Sequence, residues 1–217
     1  MQAIYRIYEY QDWITITFLI CFVLIVLAKI LFPQRFEDFL SLLTSGKFIA
    51  FKGKENKAFH GFNILLLTIQ SLAISMFLYL CYDYYFESDL AVPILYIRIL
   101  TAYVCIILIK TGVEKIIGNI FEIDDQVDYY IFQKFTYRSF IAICLLCISL
   151  LLTYSVNLNS LLLSLTGGLA LIANGLGMFI IYRRNQNVLI VNWFYFILYL
   201  CALEIAPYII LYKLITI

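Results

Sequence analysis

Six apolar runs, each about long enough to cross a lipid bilayer, occupy most of this sequence, and the lysines and arginines between them fall almost wholly into alternate connections. Hydrophobic residues make up 64% of the 217 positions and charged residues 13%, against roughly a quarter charged in an ordinary soluble domain. The chain therefore reads as all-α and polytopic, with lipid rather than water as its solvent. A net charge of +1 leaves no basic footprint for nucleic acid. What carries information is how the charge divides between the two membrane faces.

Taken in order, the expected spans run from about Trp13 to Phe32, Phe62 to Tyr82, Leu90 to Ile109, Phe135 to Val156, Leu158 to Tyr182 and Val188 to Tyr212. Together they form one integral membrane domain over residues 1–217, with no internal repeat and no soluble module. Asn157 and Asn159 leave so little between spans four and five that a tight helical hairpin is expected there. The leader sets Arg6 against Glu9 and Asp12 and lacks a basic n-region, so the first span reads as a retained helix rather than a cleaved signal.

Charge then orients the spans. Arg35, Lys47, Lys52, Lys54 and Lys57 follow span one; Lys110, Lys115, Lys134 and Arg138 follow span three; Arg183 and Arg184 follow span five. The intervening connections hold only Asp83, Glu87 and Asp89, and the ends contribute Arg6 and Lys213. The positive-inside rule therefore predicts three cytoplasmic connections and both termini outside, which an even number of spans also requires.

Two basic connections carry helical periodicity. Beyond Pro33, the residues Phe36, Phe39, Leu40 and Leu43 recur at i, i+3, i+4 and i+7, while Arg35, Glu37, Asp38 and Ser41 take the other face. This predicts an amphipathic helix over about 34–45, lying on the cytoplasmic face, ended by Gly46 and held to anionic headgroups by Lys47, Lys52, Lys54 and Lys57. It fits a structural elbow between two spans better than a docking surface for a partner. In the second connection Val113, Ile116, Ile117, Ile120 and Phe121 continue span three as an amphipathic helix, and Glu122, Asp124, Asp125 and Asp128 read as a solvated turn because calcium-loop spacing is missing. Tyr129, Tyr130, Phe132 and Phe135 follow as an interfacial anchor.

Arg98 and Glu204 fall deep within spans, where a charge costs roughly 2.5–3.5 kcal/mol on translocon scales. Arg98 sits about 12 Å below the outer end of span three, and Glu204 at a similar depth in span six. Matched depth and opposite charge predict an intramembrane ion pair pinning the two spans together. Pro207 removes an amide donor one turn from Glu204 and predicts a kink there. A clamp that locks helix packing, handling of a proton or solute, and recognition of an outside partner all remain open for this pair.

Span five places small residues four apart, Ser164 with Gly168 and Ala173 with Gly177, and close helix packing is the expected consequence. Packing within the chain is weighed above a contact between subunits, and Asn174 is placed to hydrogen-bond across it. All six cysteines fall in spans and read as small apolar residues; Cys144 and Cys147 have redox spacing but lie in an unbroken apolar helix. His60 is the one histidine, and neither a nucleophile elbow nor a phosphate-binding loop occurs. No cofactor, metal or catalytic residue is expected.

The C-terminal run includes Leu198, Tyr199, Leu200, Cys201, Leu203, Glu204, Pro207, Tyr212 and Lys213. It resembles the closing Leu-Tyr-Leu-Cys-x-Leu-Glu-x-x-Pro signature of a family of integral membrane proteins from Bacteroidota known only as a domain of unknown function. Phe32, Pro33, Arg35, Phe36, Tyr96 and the 110–121 region extend the likeness more loosely. The resemblance implies a Gram-negative inner membrane and no defined activity. The expected function is a non-enzymatic accessory or scaffold subunit of an envelope machine, of the kind that exports proteins, with lipid and other membrane subunits as partners. A small-solute or proton-coupled carrier working through Arg98 and Glu204 is the alternative.

Overall fold

The computed structural model describes residues 12–40, 61–86, 92–120, 124–154 and 160–189, and its elements are all helices. Five are long and apolar enough to cross a membrane: α1 (Asp12–Leu31), α3 (Gly61–Tyr85), α4 (Val92–Ile120), α5 (Asp124–Tyr154) and α6 (Ser160–Leu189). A short helix, α2 (Pro33–Leu40), follows α1. In lipid each backbone amide and carbonyl has to be bonded within its own segment, and the uninterrupted apolar runs allow that only as helix. The expected sixth span lies outside the described residues apart from its first two positions, which extend α6 to Leu189.

α3 forms the centre of the bundle. It packs against α1, α4 and α5, while α6 lies against α5. Phe62, Leu66, Ile69, Ala73, Met76 and Leu80 are buried along α3. Ala73 and Met76 meet Ile14, Phe18 and Cys21 of α1, Leu95 and Tyr96 of α4, and Ala142 and Leu146 of α5 in one cluster. At the end of the bundle where α1 begins, Trp13 stacks edge-on to Tyr79 at 5.0 Å and lies 5.3 Å from Tyr96, an aromatic group of the type found at membrane surfaces. α3 and α5 run parallel, so Gln70 lies beside Ser139 and Phe77 farther along packs with Leu145 and Leu152.

In the connection between spans three and four, α4 continues as helix to Ile120, as the periodicity of 113–121 predicts, whereas the start of α5 differs from the sequence expectation. α4 and α5 have 29 and 31 residues, lengths of about 44 and 46 Å, and so outrun a hydrocarbon core of about 30 Å. The two helices continue as rods through most of 110–134 and leave only 121–123 between them. Asp124 and Asp128, expected in a solvated turn, stand in the opening turns of α5, where carboxylates favour the positive end of the helix dipole. Phe132, expected as an interfacial anchor, is buried.

α2 turns its aromatic face toward the protein. Phe36 and Phe39 are buried in a cluster with Ala28 of α1 and Phe62 and Leu66 of α3. Phe39 lies 6.4 Å from Phe62 and 6.3 Å from Phe140 of α5. Pro33 opens the helix at a position where a missing amide costs nothing, and the Phe36 amide still reaches the Phe32 carbonyl at 2.9 Å. Leu40 is exposed. Leu43, Lys47, Lys52, Lys54 and Lys57 lie outside the described residues.

Candidate functional site

Polar side chains concentrate inside the bundle where α3, α4 and α5 meet. On α4, Ile107, Thr111, Glu114 and Gly118 recur at intervals of four, three and four, which places them on one face, and all are buried. On α5, Val127, Ile131 and Lys134 make the matching face. Gly118 allows the two rods to close, since a Cβ there would stand 3.1 Å from Val127. The Lys134 ammonium donates to the Glu114 carboxylate at 2.5 Å, with side chains only 5% and 6% exposed. The ammonium also lies 5.4 Å from the Tyr130 ring centroid one turn back on α5. Beside this buried pair, Lys115 and Asp128 form a part-exposed one at 3.1 Å.

Eleven residues before Glu114, about 16 Å along α4, Tyr103 joins a second polar group on nearly the same helix face. Gln70 of α3 donates its amide Nε2 to the Tyr103 hydroxyl at 3.0 Å and accepts from the Ser139 hydroxyl at 3.3 Å through its carbonyl oxygen. Arg138 donates to the same Tyr103 oxygen at 3.3 Å. Gln70 is fully buried and connects all three helices at one level. Farther along, the Ser75 and Ser149 hydroxyls are buried without a hydrogen-bond partner.

These two groups act as interhelical bonds. A buried ion pair gains little net stability over apolar residues, but losing one partner strands a charge, so such pairs set register more than they add stability. Hydrogen bonds between membrane helices contribute about 0.6 kcal/mol each on average, and the Gln70 group combines three of them. Neither group was recognised as a site in the sequence, where Lys134 and Arg138 counted only as basic residues of a connection. A signal was present: Thr111, Glu114 and Gly118 continue the helical stripe of Ile107, and Gln70 places a side-chain amide in the middle of a predominantly apolar run.

The residues singled out in the sequence are distributed differently. Arg98 is exposed on α4, about 9 Å from the start of that helix. Glu204 and Pro207 lie outside the described residues, and so does any pairing between Arg98 and Glu204. On α6, Gly177 is buried, and a Cβ there would meet the Tyr137 ring at 3.0 Å. Ala173 is half-buried, Ser164 is exposed, and Gly168 has nothing within 4 Å of a Cβ position. Asn174 donates to the Ala170 carbonyl of its own helix at 2.9 Å. Cys144 and Cys147 are free thiols exposed on α5.

No curated protein and no solved structure matches the chain. The family described as Domain of unknown function (DUF4271) matches residues 14–215, nearly the whole length, and the chain belongs to that family.

Proposed function

We propose that this protein is a non-enzymatic integral membrane subunit, an accessory or scaffold of a complex in a bacterial envelope. It would cross the inner membrane six times with both termini outside, an arrangement that rests on the alternation of basic connections. The observation that carries the reading is the outer face of α6. Leu161, Leu165, Gly168, Ile172, Gly175 and Phe179 recur at intervals of four and three, the spacing of a helix-packing seam. Leu161, Leu165, Ile172 and Phe179 are 52–61% exposed, and nothing lies within 4 Å of a Cβ at Gly168 or Gly175. A face that meets only lipid has no use for glycine notches seven residues apart, whereas an approaching helix does. The interior polar groups support the same reading, because they bond to one another across helices.

A photo-crosslinking amino acid at Ile172, activated in intact cells, tests this. The expected result is a discrete protein adduct that disappears in Gly168→Leu/Gly175→Leu while the chain still inserts. Adducts to lipid alone in the unmodified background would refute the subunit reading.

A further inference from the structure

We propose that the Arg138 guanidinium and the Tyr103 hydroxyl form a carboxylate site, and that its occupant is Glu204, in the apolar run 190–217 that follows α6. Arg138 lies half-buried within a helix of membrane-crossing length, and the one acceptor that the described residues offer it is neutral, the Tyr103 oxygen at 3.3 Å. Glu114, the only buried carboxylate among the described residues, is already taken by Lys134. The Tyr103 oxygen accepts from Gln70 as well as from Arg138, so its own hydrogen is left to donate, and no described residue receives it. Two donors therefore converge, one of them charged, and a carboxylate has an oxygen for each. Gln70 and Ser139, both fully buried, hold the phenol in place.

Helix register selects the occupant. A Cβ at Gly177 would meet the Tyr137 ring, and Leu163 shares a cluster with Leu152, so α6 runs antiparallel to α5 at a fixed offset. Leu189, twelve residues past Gly177, therefore ends α6 level with the first turn of α5, about twelve residues before Tyr137. Glu204 is fifteen residues farther on. A connection of two or three residues leaves about twelve for a helical return, a rise of about 18 Å, and that brings Glu204 level with Arg138 on a segment parallel to α5. From Ile190 to Ile217 Glu204 is the only carboxylate side chain, so chain length and charge complementarity agree. Arg98 does not meet the same condition. Glu114 beside Lys134 and Gly118 beside Val127 fix α4 against α5, and on that register Arg98 stands about 18 Å beyond Arg138 toward the start of α4, farther than two extended side chains span. The site is independent of any partner on the outer face of α6.

Crosslinking of the full chain in its own membranes tests the site. With the natural cysteines changed to alanine, Arg138→Cys/Glu204→Cys strands no charge. A short bifunctional thiol reagent is expected to join these two positions at least tenfold more than those of Arg98→Cys/Glu204→Cys, read by mass spectrometry of the joined peptides. Charge exchange gives a second readout: Arg138→Gln and Glu204→Gln each lower the yield of monodisperse protein in mild detergent several-fold, Arg138→Glu/Glu204→Arg recovers most of it, and Arg98→Gln leaves it unchanged. Tyr103→Phe lowers the yield in the unmodified chain and has no further effect in Glu204→Gln. Crosslinking that favours Arg98, joining found only between two copies of the chain, or losses from Arg138→Gln and Glu204→Gln that multiply in the double variant overturns the pairing.

Discussion

Glu114 of α4 and Lys134 of α5 are twenty residues apart in the chain and 2.5 Å apart in space, each buried to within a few per cent of completely. They join the two rods toward their linked ends, where two helices of this length would otherwise splay. Removing one member leaves the other charged and desolvated, so Glu114→Leu or Lys134→Met alone is expected to cost about 3–5 kcal/mol, while the double substitution recovers most of that loss. Thermal unfolding of the four proteins in one detergent, analysed as a double-mutant cycle, measures the coupling. Additive losses would show that the pair contributes no mutual interaction.

Gln70 and Ser75 provide an internal comparison on a single helix. Gln70→Leu removes two side-chain bonds and leaves the Ser139 hydroxyl buried, and a loss of about 1–3 kcal/mol is expected. Ser75→Ala and Ser149→Ala remove hydroxyls that have no partner, so stability stays level or rises. The midpoints of heat-induced aggregation, followed by size-exclusion chromatography, should rank the variants in that order.

Glycines on opposite faces of α6 should respond with opposite sign. At Gly177 a methyl group meets the Tyr137 ring at 3.0 Å and forces it aside, so Gly177→Ala is expected to be destabilising by about 1–3 kcal/mol. At Gly168 the position is open, and alanine gains up to about 1 kcal/mol of helix propensity in the isolated chain. Paired unfolding curves of the purified variants check the sign at each site.

Phe39 fastens α2 to the bundle. It is 1% exposed among aromatic rings from α2, α3 and α5, and Phe39→Ala is expected to cost about 3–5 kcal/mol. Leu40→Ala, on the exposed side, should change stability by less than about 0.5 kcal/mol. Limited proteolysis reports the difference directly, through faster cleavage after α2 in the phenylalanine variant alone.

Much of the fold was legible in the residue order. Apolar runs marked five of the described helices, Pro33 marked the break after α1, and Asn157 and Asn159 marked the boundary between α5, which ends at Tyr154, and α6, which begins at Ser160. In the 110–134 region the continuation of α4 was legible from its periodicity, but the pairing across the two helices was not, because counting lysines and arginines as markers of a membrane face cannot reveal that Lys134 folds back onto Glu114. The same limit applies to α2: its periodicity announced a helix with an aromatic face, but periodicity is silent on whether lipid or protein receives that face, and Phe62 and Phe140 receive it here.

By itself the sequence determined that this chain is helical, with runs long and apolar enough to cross a membrane, because a long apolar segment in hydrocarbon has no other way to bond its own backbone. Only the tertiary structure decided which polar residues are interior: the meeting of Gln70, Tyr103, Arg138 and Ser139 depends on three helices reaching a common register, and that depends on side-chain packing between segments distant in the chain.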